Sequence, residues 1–174
     1  MDRKLFKSKV LSLKGQHGNM FFDYFGYETE WCAMFVSYCL KGLAGINWFP
    51  KSASCGEIKR TLSERVNRSF KTAEIGDLIL FELNNNPSDG AEQIGIVIDN
   101  SDGVITTIEG NTKGDNYKET TVNTFEYPVN SPLLLNVIDM SSEFEGPSSY
   151  IGFSNEFDKY KNIIDEIKKL VSNV

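Results

Sequence analysis

The apolar residues of this chain change their period near residue 67, with helical spacing before it and short extended runs after it. Leu5, Phe6, Val10 and Leu13 are spaced for a helix that stops at Gly15-Gln16-His17-Gly18-Asn19, and the aromatic stretch Met20 to Tyr27 predicts a short helical turn. A strongly apolar helix is expected from Trp31 to Leu43, with Thr29-Glu30 as its cap and Gly42 and Gly45 ending it. Another runs from about Ser54 to Arg65, with Ser54 as cap and Glu57 as its reciprocal partner. Beyond Asn67 the runs Asp77 to Phe81, Gln93 to Asp99 and Val104 to Glu109 are short and rich in β-branched residues. Turn clusters at 84–90 and 100–103 separate them, the second ending in Asp102-Gly103, a hairpin signal. Further strands near Lys118 to Thr121 and Leu133 to Ile138 complete an antiparallel sheet. Helices first and strands afterwards predict an α+β domain, with N-terminal helices packed on that sheet.

The domain is expected to span 1–140. Residues 141–174 then form a linker and a C-terminal amphipathic helix, in which Phe157, Tyr160, Ile163, Ile164, Ile167, Leu170 and Val171 share one face. A chain of 174 residues is long enough for a core that needs no disulfides, and three cysteines, Cys32, Cys39 and Cys55, allow at most one bridge. The formal net charge of −6 argues against a nucleic-acid partner, which requires a basic face. No stretch reaches the roughly 20 apolar residues of a membrane span, and the N-terminus lacks the apolar core of a signal peptide. With one histidine, His17, and irregular cysteine spacing, no metal set is expected, and no cofactor is called for.

Cys32 is the residue with the clearest chemical potential. It falls in the first turn of the helix that begins at Trp31, where unpaired backbone N–H groups favour a thiolate and can hold an oxyanion. Position alone also fits a small core residue. Cys39 and Cys55 read as structural, and Glu109, taken by itself, as a solvated charge at a strand end.

A wider pattern sharpens this reading. Trp31-Cys32-Ala33-Met34-Phe35-Val36-Ser37, then Gly76-Asp77-Leu78-Ile79-Leu80-Phe81, Ile94-Gly95-Ile96-Val97 and Thr107-Ile108-Glu109-Gly110-Asn111-Thr112 follow one another along the chain. In order and spacing they resemble the CHAP domains of the NlpC/P60 branch of papain-like cysteine peptidases, over about residues 5–140. The resemblance implies a papain-like fold and a peptidoglycan hydrolase that cuts an amide in a stem peptide, in a cross-bridge or between peptide and sugar. It implies that Cys32 is the nucleophile, that Glu109 orients the catalytic imidazole, and that Asn111 is the polar residue beside it. The expected site of action is the bacterial cell wall.

One position departs from the family. The residue before Ile94-Gly95-Ile96-Val97 is a histidine in the family and is Gln93 here. A carboxamide cannot take a proton from a thiol near neutral pH, so the expectation is a hydrolase that is inactive or strongly impaired. The alternative is a pseudoenzyme whose cleft binds wall peptides without cutting; a deamidase or acyl-transfer enzyme has the same need for a base. His17, in its glycine-rich loop, is the sole imidazole of the chain, and the family places no base there.

Overall fold

In the computed structural model, residues 1–66, 69–83, 91–114 and 116–146 are described. The helix-then-strand order expected from the sequence is what forms: a mixed α+β fold with a five-stranded antiparallel sheet. The helices are α1 (Arg3–Leu11), α2 (Asn19–Phe25), α3 (Cys32–Ser37) and α4 (Cys55–Thr61). The strands are β1 (Leu78–Phe81), β2 (Gln93–Ser101), β3 (Val104–Thr112), β4 (Thr121–Pro128) and β5 (Leu134–Ile138), in the spatial order β4-β3-β2-β1-β5.

Local bonds and a left-handed glycine set several of the helix ends. Asp2 caps α1 by accepting from the Leu5 N–H at 2.9 Å, and α2 stops at Gly26, whose φ of +89° is left-handed. Ser54 caps α4 as expected, accepting from the Glu57 N–H. The reciprocal arm is relayed, because the Glu57 carboxylate accepts from Ser52 Oγ while Ser52 Oγ accepts from the Ser54 N–H.

The apolar helix reaches Leu43 as expected but differs in its cap and in the winding of its second half. Neither Thr29 nor Glu30 caps it; Trp31 occupies the cap position with no side-chain bond, and the Glu30 carboxylate is instead engaged by Asn111. From Tyr38 to Leu43 the coil widens to a π-helix, closed by an Ala44 N–H to Cys39 carbonyl bond. The helix expected to Arg65 stops at Thr61 and resumes as a short 3-10 turn at Ser63–Arg65. The strand expected near 118–121 begins only at Thr121, because Asn116 accepts backbone bonds from Lys118, Glu119 and Thr120 and holds those residues in a turn.

Every residue of α3 is buried. It lies between the sheet and the other helices, which is where a helix apolar on all sides belongs. Leu78, Leu80, Ile94, Ile96, Ile108 and Val122 face it from the sheet, while Ile79, Phe81, Val97, Ile105 and Val137 form a second cluster on the opposite face. That alternation is the two-residue period of extended chain. Residues 141–146, grouped with the linker by the sequence, pack onto the N-terminus: Phe144 packs at a tilt against Phe6, and Glu145 bridges Asp2. The turn cluster at 84–90 and the amphipathic helix expected at 157–171 lie outside the described residues. Among the described residues no helix is long and apolar enough to cross a membrane.

Candidate functional site

Close approach of α3 to the sheet positions the site. A Cβ on Gly110 would lie 2.6 Å from Phe35 Cβ and 2.7 Å from the Trp31 ring, so α3 rests directly on β3 at a residue that has no side chain. Trp31 is fully buried, stacked on Phe21, and donates its indole N–H to the Tyr117 carbonyl and Thr120 Oγ. Cys32, the first residue of α3, is thereby held at 6% exposure against the start of β2.

Glu109 overturns its reading as a solvated charge. It is 2% exposed. It pairs in register with Gly95, and a Cβ on Gly95 would lie 2.6 Å from Glu109 Cγ, so the glycine lets the carboxylate lie across β2. There one oxygen accepts from Thr107 Oγ at 2.5 Å and Tyr127 Oη at 3.1 Å. The other accepts from Gln93 Nε2 at 3.3 Å. Gln93, 8% exposed, also donates to the Gly110 carbonyl, and its Oε1 accepts from the Ile94 N–H. Gln93, Thr107 and Glu109 share strand parity with the far-face cluster, whereas Cys32 belongs to the helix-face core. The two halves of the site therefore meet around the end of β2. Ile94, whose N–H donates to Gln93 Oε1, is also one of the residues that hold the Cys32 thiol down.

Burial pushes the Glu109 carboxyl above its ordinary value, against the hydrogen bonds from Thr107, Tyr127 and Gln93. Burial, reinforced by the Glu109 charge, likewise pushes Tyr127 up. A carboxyl whose folded pKa is raised binds its proton more tightly when folded. The stability it confers is thus full below the unfolded value and declines as pH rises through the folded one. Glu109→Gln removes that decline. Urea midpoints measured against pH should show the variant gaining on the unaltered chain as pH climbs above about 4.5, then holding a constant difference.

Asn111 lies two residues beyond Glu109, where β3 bends, and its side chain bonds residues outside the Gln93–Glu109 pair. A register shift between Glu109 and Thr112 puts a bulge in β3, and Asn111 within it has a φ of +61°. Its side chain donates to Glu30 and accepts from Thr120 Oγ, so it ties the loop before α3 to the end of β3. His17 is exposed, and its backbone bridges Thr121 at the start of edge strand β4, while Gln93 opens the central strand β2. Cys39 is fully buried in the core, as its structural reading expects.

The residue the sequence reading missed is Cys55. Its sulfur lies 3.5 Å from that of Cys32. The signal was present, since Cys55 follows the Ser54 cap and so, like Cys32, opens a helix. Thr107 could also have been found, two residues before Glu109 on the same strand face. The hydrogen bond from Cys55 brings the Cys32 thiol below its ordinary value, aided by the Ala33 and Ile94 N–H groups and opposed by burial and the Glu30 charge. Cys55 is driven far up by the same bond and by burial. The surroundings therefore favour ionisation at Cys32 over Cys55 across the hydrogen bond that the two sulfurs share. Replacing Cys55 by Ala removes the donor, so the pH midpoint for alkylation of Cys32 by iodoacetamide, followed by peptide mass mapping, should move upward. An unmoved midpoint would show that the backbone donors suffice.

Among the described residues no three His, Cys, Asp or Glu side chains converge to hold a metal ion. Comparison of the chain with family models, with curated proteins and with solved structures finds no significant match.

Proposed function

We propose that this chain carries a CHAP-type cysteine amidohydrolase or peptidase site directed at peptidoglycan peptides, in a form impaired for cleavage because Gln93 stands at the base position. The observation that carries the reading is the Gln93–Glu109 hydrogen bond at the start of β2, the strand on which the helix opened by Cys32 packs. A buried carboxylate that holds a polar side chain near the start of a cysteine-bearing helix fits a cysteine–base–orienter site. The finer fold reading, a papain-like domain, belongs to the same proposal and draws on α3 packed against an antiparallel sheet.

In such a site the Cys32 thiolate attacks the amide carbon, backbone N–H groups hold the oxyanion, and an acid protonates the departing amine. Cys55 and two N–H groups favour the thiolate without any imidazole. The leaving amine is the obstacle. Gln93 has no proton to transfer, and Glu109 is occupied by three donors on the far face of the sheet. Attack is therefore open while collapse toward product is slow.

A second reading, a cleft that binds wall peptides without cutting, is favoured by Gln93 being buried with both ends of its amide hydrogen-bonded, a settled neutral residue. The release of new amine ends from purified walls, compared between this chain and Gln93→His, tests the proposal. Affinity for wall fragments with no amine release in either protein favours the binding reading.

A further inference from the structure

We propose that Cys32 and Cys55 are a redox dithiol, which a hydroperoxide small enough to reach them converts to a disulfide that added thiols reverse. The two sulfurs are 3.5 Å apart, although the residues are separated by 23 positions and open different helices. A disulfide requires a separation of about 2.0 Å, so the sulfurs need approach by only about 1.5 Å. Both are nearly enclosed, at 6% and 7% exposure, which admits a small peroxide in preference to a bulky disulfide.

The chemistry balances with the peroxide as sole oxidant. With hydrogen peroxide, the Cys32 thiolate attacks one oxygen; an S–O bond forms, the O–O bond breaks, and the hydroxide that leaves takes from solvent the proton that Cys32 gave up on ionising, becoming water. The Cys55 sulfur then attacks the Cys32 sulfur. The S–S bond forms, the S–O bond breaks, and the departing hydroxide takes the Cys55 proton as a second water. Two electrons pass from the thiols to the peroxide. Neither Gln93 nor Glu109 takes part, so the step is independent of amide cleavage. Its product has no nucleophile at position 32.

The test treats the folded chain with hydrogen peroxide, quenches with catalase, labels free thiols with N-ethylmaleimide in denaturant and maps the peptides. Labels should fall from three per chain to one, with a linked peptide joining residues 15–41 to 52–59, and dithiothreitol should restore all three. Cys32 and Cys39 share the first of those tryptic peptides, so Cys39→Ser assigns the bond: the link must persist in it. Cys55→Ser should yield a dimedone-trapped sulfenic acid at Cys32 and no link. Three labels after oxidation, a sulfinic acid at Cys32 with Cys55 still labelled, or loss of the link in Cys39→Ser each overturns the proposal. Should Cys55→Ser not fold, the unaltered chain and Cys39→Ser decide the matter alone.

Discussion

Replacing Gln93 by histidine is expected to raise amide cleavage in purified cell walls by roughly 10²–10⁴-fold, the usual worth of a positioned general acid–base. The reason lies in what already surrounds the position. Glu109 Oε2 and the Gly110 carbonyl accept from the Gln93 amide, and an imidazole N–H can donate to the same oxygens. Gln93 Oε1, whose place the second ring nitrogen would take, accepts from the Ile94 N–H. An imidazolium there also reverses the electrostatics of Glu109, whose carboxyl is raised at present because it is buried with neutral donors. Adding Cys32→Ser to the variant should return cleavage to the starting level. Adding Glu109→Gln should lower it while leaving the fold intact, since the orienting charge is lost and its shape kept. A folded Gln93→His protein that releases no amine ends from any wall type would falsify the hydrolase reading.

Trp31→Ala should cost about 3–5 kcal/mol, the range for deleting a large buried aromatic, and at about 1–3 kcal/mol per molar urea this lowers the midpoint by about 2 M. Trp31 is fully buried, its ring stacks on Phe21 with centroids 5.1 Å apart, and β3 approaches it at Gly110. Truncation leaves a cavity between α2, α3 and β3 that the sheet cannot close. Trp31→Phe keeps most of the packing and loses the indole N–H shared by Tyr117 and Thr120, so its cost should be about 1–2 kcal/mol. Fluorescence offers an independent readout. Trp48, about half exposed, is the sole other tryptophan, so emission from the folded Trp31→Ala protein should shift to the red. Equal midpoints for the alanine variant and the unaltered chain would refute this account of how Cys32 is held in place.

What the sequence by itself determined is local. The switch from helical to extended spacing, the Ser54 cap and the Asp102-Gly103 turn each depend on residues within one turn or one hairpin, and each is found where the spacing put it. The choice of Cys32 as a helix-opening residue and the meeting of Gln93 with Glu109 were legible for a related reason, since one is a single helix start and the other a short antiparallel pairing. Only the tertiary structure decided which groups share the site. Glu109 is a buried charge because Gly95 on the neighbouring strand has no side chain to exclude it. Asn111 turns to Glu30 because a bulge re-aims it, and Cys55 meets Cys32 because α3 and α4 pack. Those outcomes depend on distances between segments far apart in the chain, set by close packing across the core and not by the propensities of the residues involved.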